Sequence, residues 1–132
     1  MAENSTKSEV RLFTKNYLAE AKMRNHFAVI DEPVSFGGDD NGATPVEYLL
    51  TAIGSCVSIT LRMYSERKGW DLGKIKVDVY QVKNKNETYL TEEISFEKKI
   101  TPDQRKRLLE IAGKCPVAKM VKGETKIESK II

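Results

Sequence analysis

The residues with the widest chemical range in this chain are its two cysteines, Cys56 and Cys115. A thiolate attacks peroxides and disulfides and ligates metals, and two thiols together can be oxidised to a disulfide and reduced again by an external thiol. With a single histidine, His26, the chain is short of ligands for a closed four-ligand zinc site unless carboxylates join. A metal held between two chains by Cys56, Cys115 and carboxylates is the weakest reading of the pair. Two cysteines also exclude a disulfide-rich secreted scaffold. His26 itself reads as an exposed strand residue.

The two cysteines have different local settings. Cys56 lies inside the stretch Tyr48–Leu61, which carries no charge. There it can serve as a small buried hydrophobe, and a mid-helix position denies it the free N–H groups that lower a thiol pKa. Cys115 follows Gly113-Lys114 and precedes Pro116-Val117-Ala118-Lys119, the pattern of an N-cap before a short helix. It is either a capping residue without further chemistry or a thiol activated by the helix start, with Lys114 beside it. On local electrostatics alone, Cys115 is the more reactive of the two.

The elements that must position these residues are marked by their own signals. Thr44-Pro45-Val46-Glu47 and Thr101-Pro102-Asp103-Gln104 each combine a Thr cap, a Pro at the first helical position and Glu or Gln three residues after the cap. They predict a helix from Pro45 to about Lys68, closed by Gly69, and a second ending near Gly113. The stretches Val10–Lys15, Tyr17–Met23 and His26–Ile30 read as an antiparallel meander. Lys74–Val82 and Tyr89–Ile100 read as two strands around the turn 83–86, and Glu124–Ile132 as a final strand. Trp70 and Leu72 are expected in the core. The first helix, about 25 residues and about 37 Å long, meets no charge between Glu47 and Arg62. Val46, Leu50, Ile53, Val57 and Tyr64 share one stripe, Ala52, Ile59 and Met63 another, and Thr51, Ser55 and Ser58 a third. A helix with no solvated face is expected to be buried all round, and a single small domain cannot cover it, so a homodimer is expected.

Composition narrows the class. The chain has 132 residues, 40% of them hydrophobic, with 22 Lys+Arg against 19 Asp+Glu and a net charge of +3. That is one domain's length, too weakly and evenly charged to argue for nucleic acid or an anionic membrane surface. The uncharged stretch is too short and too polar to predict a bilayer span. The N-terminal residues lack the apolar h-region of a secretory signal, so the expected compartment is cytoplasmic and reducing.

Two blocks carry a family resemblance. The run from Gly37-Gly38-Asp39-Asp40-Asn41-Gly42 through Thr44-Pro45 to Gly54-Ser55-Cys56 resembles the signature of the OsmC/Ohr family, the osmotically inducible and organic hydroperoxide resistance proteins. Gln104-Arg105, Leu108 and Ala112-Gly113-Lys114-Cys115-Pro116-Val117 resemble its second block. The resemblance runs from about Val10 to the end. It implies an α+β fold with antiparallel sheets around a long central helix, a single domain over 1–132 (residues 1–8 being a flexible N-terminus), and an intertwined dimer with active sites at the subunit interface.

It also implies a thiol peroxidase acting on organic hydroperoxides, with hydrogen peroxide a further candidate. Cys56 would be the peroxidatic thiolate and Cys115 the resolving thiol. No bound cofactor or metal is implied. The reductant would be an external dithiol, a lipoylated protein or dihydrolipoamide in the best-known members. The family activates its first cysteine with an arginine from the N-terminal sheet, paired to a glutamate, and Arg24 stands in the corresponding region. In the hydroperoxide-resistance members that glutamate directly follows the proline. Here the position is Val46, and Glu47 comes one residue later, about 180° around the helix from Cys56. Glu47 is thus a candidate partner of Arg24 whose place in the capping box favours a capping role. The departure points to an OsmC-like branch and leaves a second reading open, a non-enzymatic small-ligand or interaction module on the same fold.

Overall fold

A computed structural model describes residues 6–123 and 125–132. The first five positions of the expected flexible N-terminus, and Glu124, lie outside the described residues. The chain forms two compact units, one up to Leu49 and one over Leu50–Ile132.

The first unit is an antiparallel meander of β1 (Glu9–Leu12), β2 (Ala19–Met23) and β3 (His26–Ile30), in the order β1-β2-β3. Register is set by facing pairs such as Val10 with Ala21 and Ala19 with Ile30. Ala19 and Ala21 are the buried residues of β2, alternating with polar Glu20 and Lys22 as a half-buried strand requires. β2 turns into β3 through Arg24, whose φ of 57° lies in the left-handed region that side chains other than Gly, Asn and Asp rarely adopt.

Past β3 the chain is organised by Asp31, which is 0% exposed. Its carboxylate accepts hydrogen bonds from the backbone N–H groups of Glu32 (2.7 Å) and Asn41 (3.1 Å), at the two ends of the glycine-rich loop. Burial pushes its pKa up, but the backbone donors of Asn41, Glu32 and Asp39 outweigh it and hold the carboxyl below its ordinary value. The loop packs so closely that a Cβ on Gly38 would collide with the Glu32 carbonyl and with Asp31 Oδ1.

The long helix α1 (Pro45–Lys68) starts and stops where its signals lie. Thr44 N donates to Glu47 Oε1 (2.9 Å), Glu47 N donates to Thr44 Oγ1 (3.2 Å), and Gly69 closes the helix with φ 70°. Within a single chain the helix buries one face. The buried residues are Ile53, Gly54, Val57, Leu61, Tyr64 and Ser65, a single stripe at helical spacing. Val46, placed with that stripe, is exposed, as are Leu49, Ile59 and Met63. One chain covers one face, because a helix touches its own sheet and helices only along the side facing them. Ser55, Ser58 and Ser65 return their hydroxyls to carbonyls three or four residues back, at 2.8–3.2 Å, and so need no outside partner. By length and composition α1 is long and apolar enough to cross a membrane, a test that core helices of soluble proteins also pass.

In the second unit β4 (Ile75–Lys83) and β5 (Thr88–Phe96) form an antiparallel hairpin, followed by α2 (Pro102–Ala112) and α3 (Pro116–Lys122). The hairpin packs tightly at Gly54: a Cβ there would sit 3.2 Å from Val79 Cγ2 and 3.4 Å from the Val77 carbonyl. α2 carries the expected capping box, with Thr101 and Gln104 bonded reciprocally. Arg107 Nε donates to the Tyr64 hydroxyl at 2.9 Å, and Trp70 meets the Tyr64 ring edge-on. The core gathers Ile53, Val57, Leu61, Tyr64, Leu72, Leu108, Ile111, Ala112, Cys115 and Ala118. Burying each large apolar member contributes about 1.5–3 kcal/mol.

The final strand expected over Glu124–Ile132 does not form among the described residues. Residues 125–132 have no ladder partner, and Ile127, Ile131 and Ile132 are exposed. Alternating hydrophobicity creates a strand only where another strand takes its N–H and C=O groups.

Candidate active site

Cys56 lies on α1 between Ile53 and Val57, at the border of the buried stripe. It is half-buried and packs against the core of the second unit. Cys115 occupies the elbow between α2 and α3. α2 ends at Ala112, the Lys114 N–H bonds back to the Ile111 carbonyl (2.9 Å), and Pro116 opens α3. Cys115 caps α3 as its position predicts: its Sγ accepts from the Ala118 N–H at 3.4 Å. Ile111, Ala112 and Ala118 are buried around it, and Cys115 is itself 0% exposed.

Cys56 lies near enough to Cys115 to act on its titration. Burial pushes the Cys115 pKa up, and the hydrogen bond and like charge of Cys56 push it the same way. The N–H groups of Ala118 and Val117 pull it down, which is the helix-start effect expected from sequence, but they are outweighed. The helix-start argument for a reactive Cys115 is therefore outweighed: its pKa lies above the ordinary thiol value. Both sulfurs are free thiols. The pair is asymmetric, Cys56 half-buried and Cys115 fully enclosed.

Arg24 and Glu47 belong to the first unit. Arg24 is exposed in the tight β2–β3 turn, held at its positive φ. Glu47 uses Oε1 in the α1 capping box, and the hydrogen bonds to Thr44 hold its carboxyl below its ordinary value. His26 is exposed on β3. Among the described residues no group of three or more His, Cys, Asp or Glu side chains could hold a metal ion.

Reading the sequence missed Asp31, which anchors the glycine-rich loop. Its signal was an acid at the end of an apolar strand, directly before Glu32-Pro33 and a glycine pair, where loop N–H groups need acceptors.

Fold and site together define an α+β protein with one cysteine on its long helix and a second at the start of α3. The profile of the OsmC-like protein family matches residues 37–130, and the chain belongs to that family. Solved structures share the fold. The OsmC-like protein of Mycoplasma pneumoniae superposes with a TM-score of 0.71 at 18% identity, over 92% of this chain and 90% of its own. OhrB of Bacillus subtilis, an organic hydroperoxide resistance protein, gives 0.64 at 15% identity, over 90% and 91%. A Legionella pneumophila organic hydroperoxide resistance protein gives 0.62 at 13% identity, over 93% of each chain. A search of curated proteins found no match.

Proposed function

We propose that this protein is a thiol peroxidase that reduces organic hydroperoxides. The observation that carries the reading is the asymmetric pair, half-buried Cys56 beside enclosed Cys115. The Cys56 thiolate attacks the terminal oxygen of ROOH, the O–O bond breaks, and the alkoxide leaves as ROH after taking a proton. Cys56 is left as sulfenic acid. Cys115 then attacks the sulfenic sulfur, giving up its proton, and water leaves as the disulfide forms. An external dithiol, of the lipoyl type by family analogy, returns two electrons and two protons. Arg24 is the cation assigned to Cys56 by the same analogy, and Glu47 is left to the helix start.

Support comes from family membership and from the hydroperoxide-resistance names of structural relatives. The exposed Ile59 and Met63 on α1 support a homodimer as the working unit. Nothing in the reading calls for nucleic acid, a membrane, a metal or a resident cofactor, and it suits a reducing cytoplasm.

The test follows peroxide consumption with dihydrolipoamide as reductant. Wild type should turn over cumene hydroperoxide, and Cys56→Ser should lose at least about a hundredfold in rate, about 2.7 kcal/mol of transition-state stabilisation. Equal rates in the two proteins would overturn the assignment. The second reading, a binding module without efficient chemistry, is favoured by one observation: Val46 stands where the hydroperoxide-resistance members carry their acid, and Glu47 is spent on the cap. Thiols that stay reduced in excess hydroperoxide would establish it.

A further inference from the structure

The second unit holds a cavity of about 580 Å³ between the end of β5, residues 97–101 and α2. Neither cysteine lines it. Its accessible apolar lining is Ile94, Phe96, Ile100 and Leu109, while Leu61 and Leu108 behind them are already covered by the core. At its mouth three cations, Lys98, Lys99 and Arg105, face one anion, Glu97.

Two of these four charges are already engaged. Glu97 Oε1 accepts from the Lys74 N–H at 3.0 Å, and Lys98 is ion-paired with Asp71. Lys99 and Arg105 have neither a salt bridge nor a side-chain hydrogen bond to any described residue. Leu109, 69% exposed, adds an apolar side chain to the same rim. The site therefore combines an apolar lining with two uncommitted cations. Its volume falls in the range of small-molecule pockets, which pair an apolar lining with a few convergent polar groups.

We propose that this cavity binds a linear alkyl carboxylate, its chain over Ile94, Phe96, Ile100 and Leu109 and its carboxylate at Lys99 and Arg105. Both halves of the ligand are required by the lining. A small hydrophilic anion such as phosphate satisfies the cations but leaves the apolar side chains uncovered. A neutral alkyl chain covers the apolar side chains and leaves the cations unused. The guanidinium of Arg105 offers the fork that a carboxylate accepts in two parallel hydrogen bonds, and Lys99 adds a point charge. The site is separate from the thiol pair and stands whether or not the thiols turn over peroxide.

Isothermal titration of the full chain with decanoate tests the proposal, with decanol, butyrate and inorganic phosphate as comparison probes. One decanoate should bind per chain, about tenfold or more tighter than decanol. Butyrate should bind about a thousandfold more weakly, for want of six methylenes. The Lys99→Ala/Arg105→Ala variant alters only exposed side chains and should bring decanoate down to the affinity of decanol. Cys56→Ser should bind decanoate as wild type does. Absence of saturable decanoate binding, equal affinity in the double variant, phosphate binding as tightly as decanoate, or loss of binding in Cys56→Ser would each overturn it.

Discussion

Oxidation of the reduced chain should stabilise it against heat, by an amount the fold allows to be worked out. A Cys56–Cys115 disulfide closes a loop of about 60 residues, which in the chain-entropy account removes about 14 cal/mol/K from the unfolded ensemble, or about 4 kcal/mol at 25 °C. Strain in the folded state can only subtract from this figure. Unfolding entropy of about 2.1 cal/mol/K per residue gives a chain of this length about 0.28 kcal/mol/K, so the midpoint should rise by up to about 15 °C. The assay treats reduced protein with one equivalent of cumene hydroperoxide, counts remaining thiols, confirms the loss of two hydrogens by mass, and follows the melt by circular dichroism. Cys115→Ser should show no rise and should carry oxygen on Cys56 instead. Loss of both wild-type thiols with no rise in midpoint would refute the entropic reasoning. Oxygen added to wild-type Cys56 while Cys115 stays reduced would refute the pairing itself.

Two further outcomes follow from the same geometry. The raised Cys115 pKa, caused by burial and then by Cys56, means that the folded chain keeps a proton that the unfolded chain loses near pH 8.5. Its contribution to stability is complete below that pH and is lost as pH rises through the folded value, so urea midpoints should fall less steeply above about pH 8.5 in Cys115→Ala than in wild type. Tyr80 and Lys98, also raised, act equally in both proteins, and parallel curves would remove Cys115 as a source of the alkaline loss. For the dimer, replacing exposed Ile59 and Met63 by Glu should weaken self-association by about a hundredfold or more in analytical ultracentrifugation. A wild-type chain already monomeric at micromolar concentration would dispose of the dimer.

The sequence by itself determined what short-range chemistry decides. Both long helices start at Thr-Pro boxes because a Thr hydroxyl and a Glu or Gln three residues on satisfy the first N–H groups locally, and Gly69 stops α1 because it adopts a positive φ without cost. The meander and the β4–β5 hairpin followed from alternation between turn residues, and the N-cap role of Cys115 from its place before Pro116. Tertiary structure decided everything that depends on what comes to lie nearby. It left residues 125–132 without a partner strand, although their pattern alternates. It selected which stripe of the long helix one chain buries, Ile53, Gly54, Val57, Leu61, Tyr64 and Ser65. It also set the direction of the Cys115 shift: the helix start acts on Cys115 as its neighbours in sequence predict, yet enclosure by the core and by Cys56 outweighs it. Burial and charge act through space, and their sum at a residue is fixed only when the whole chain has packed around it.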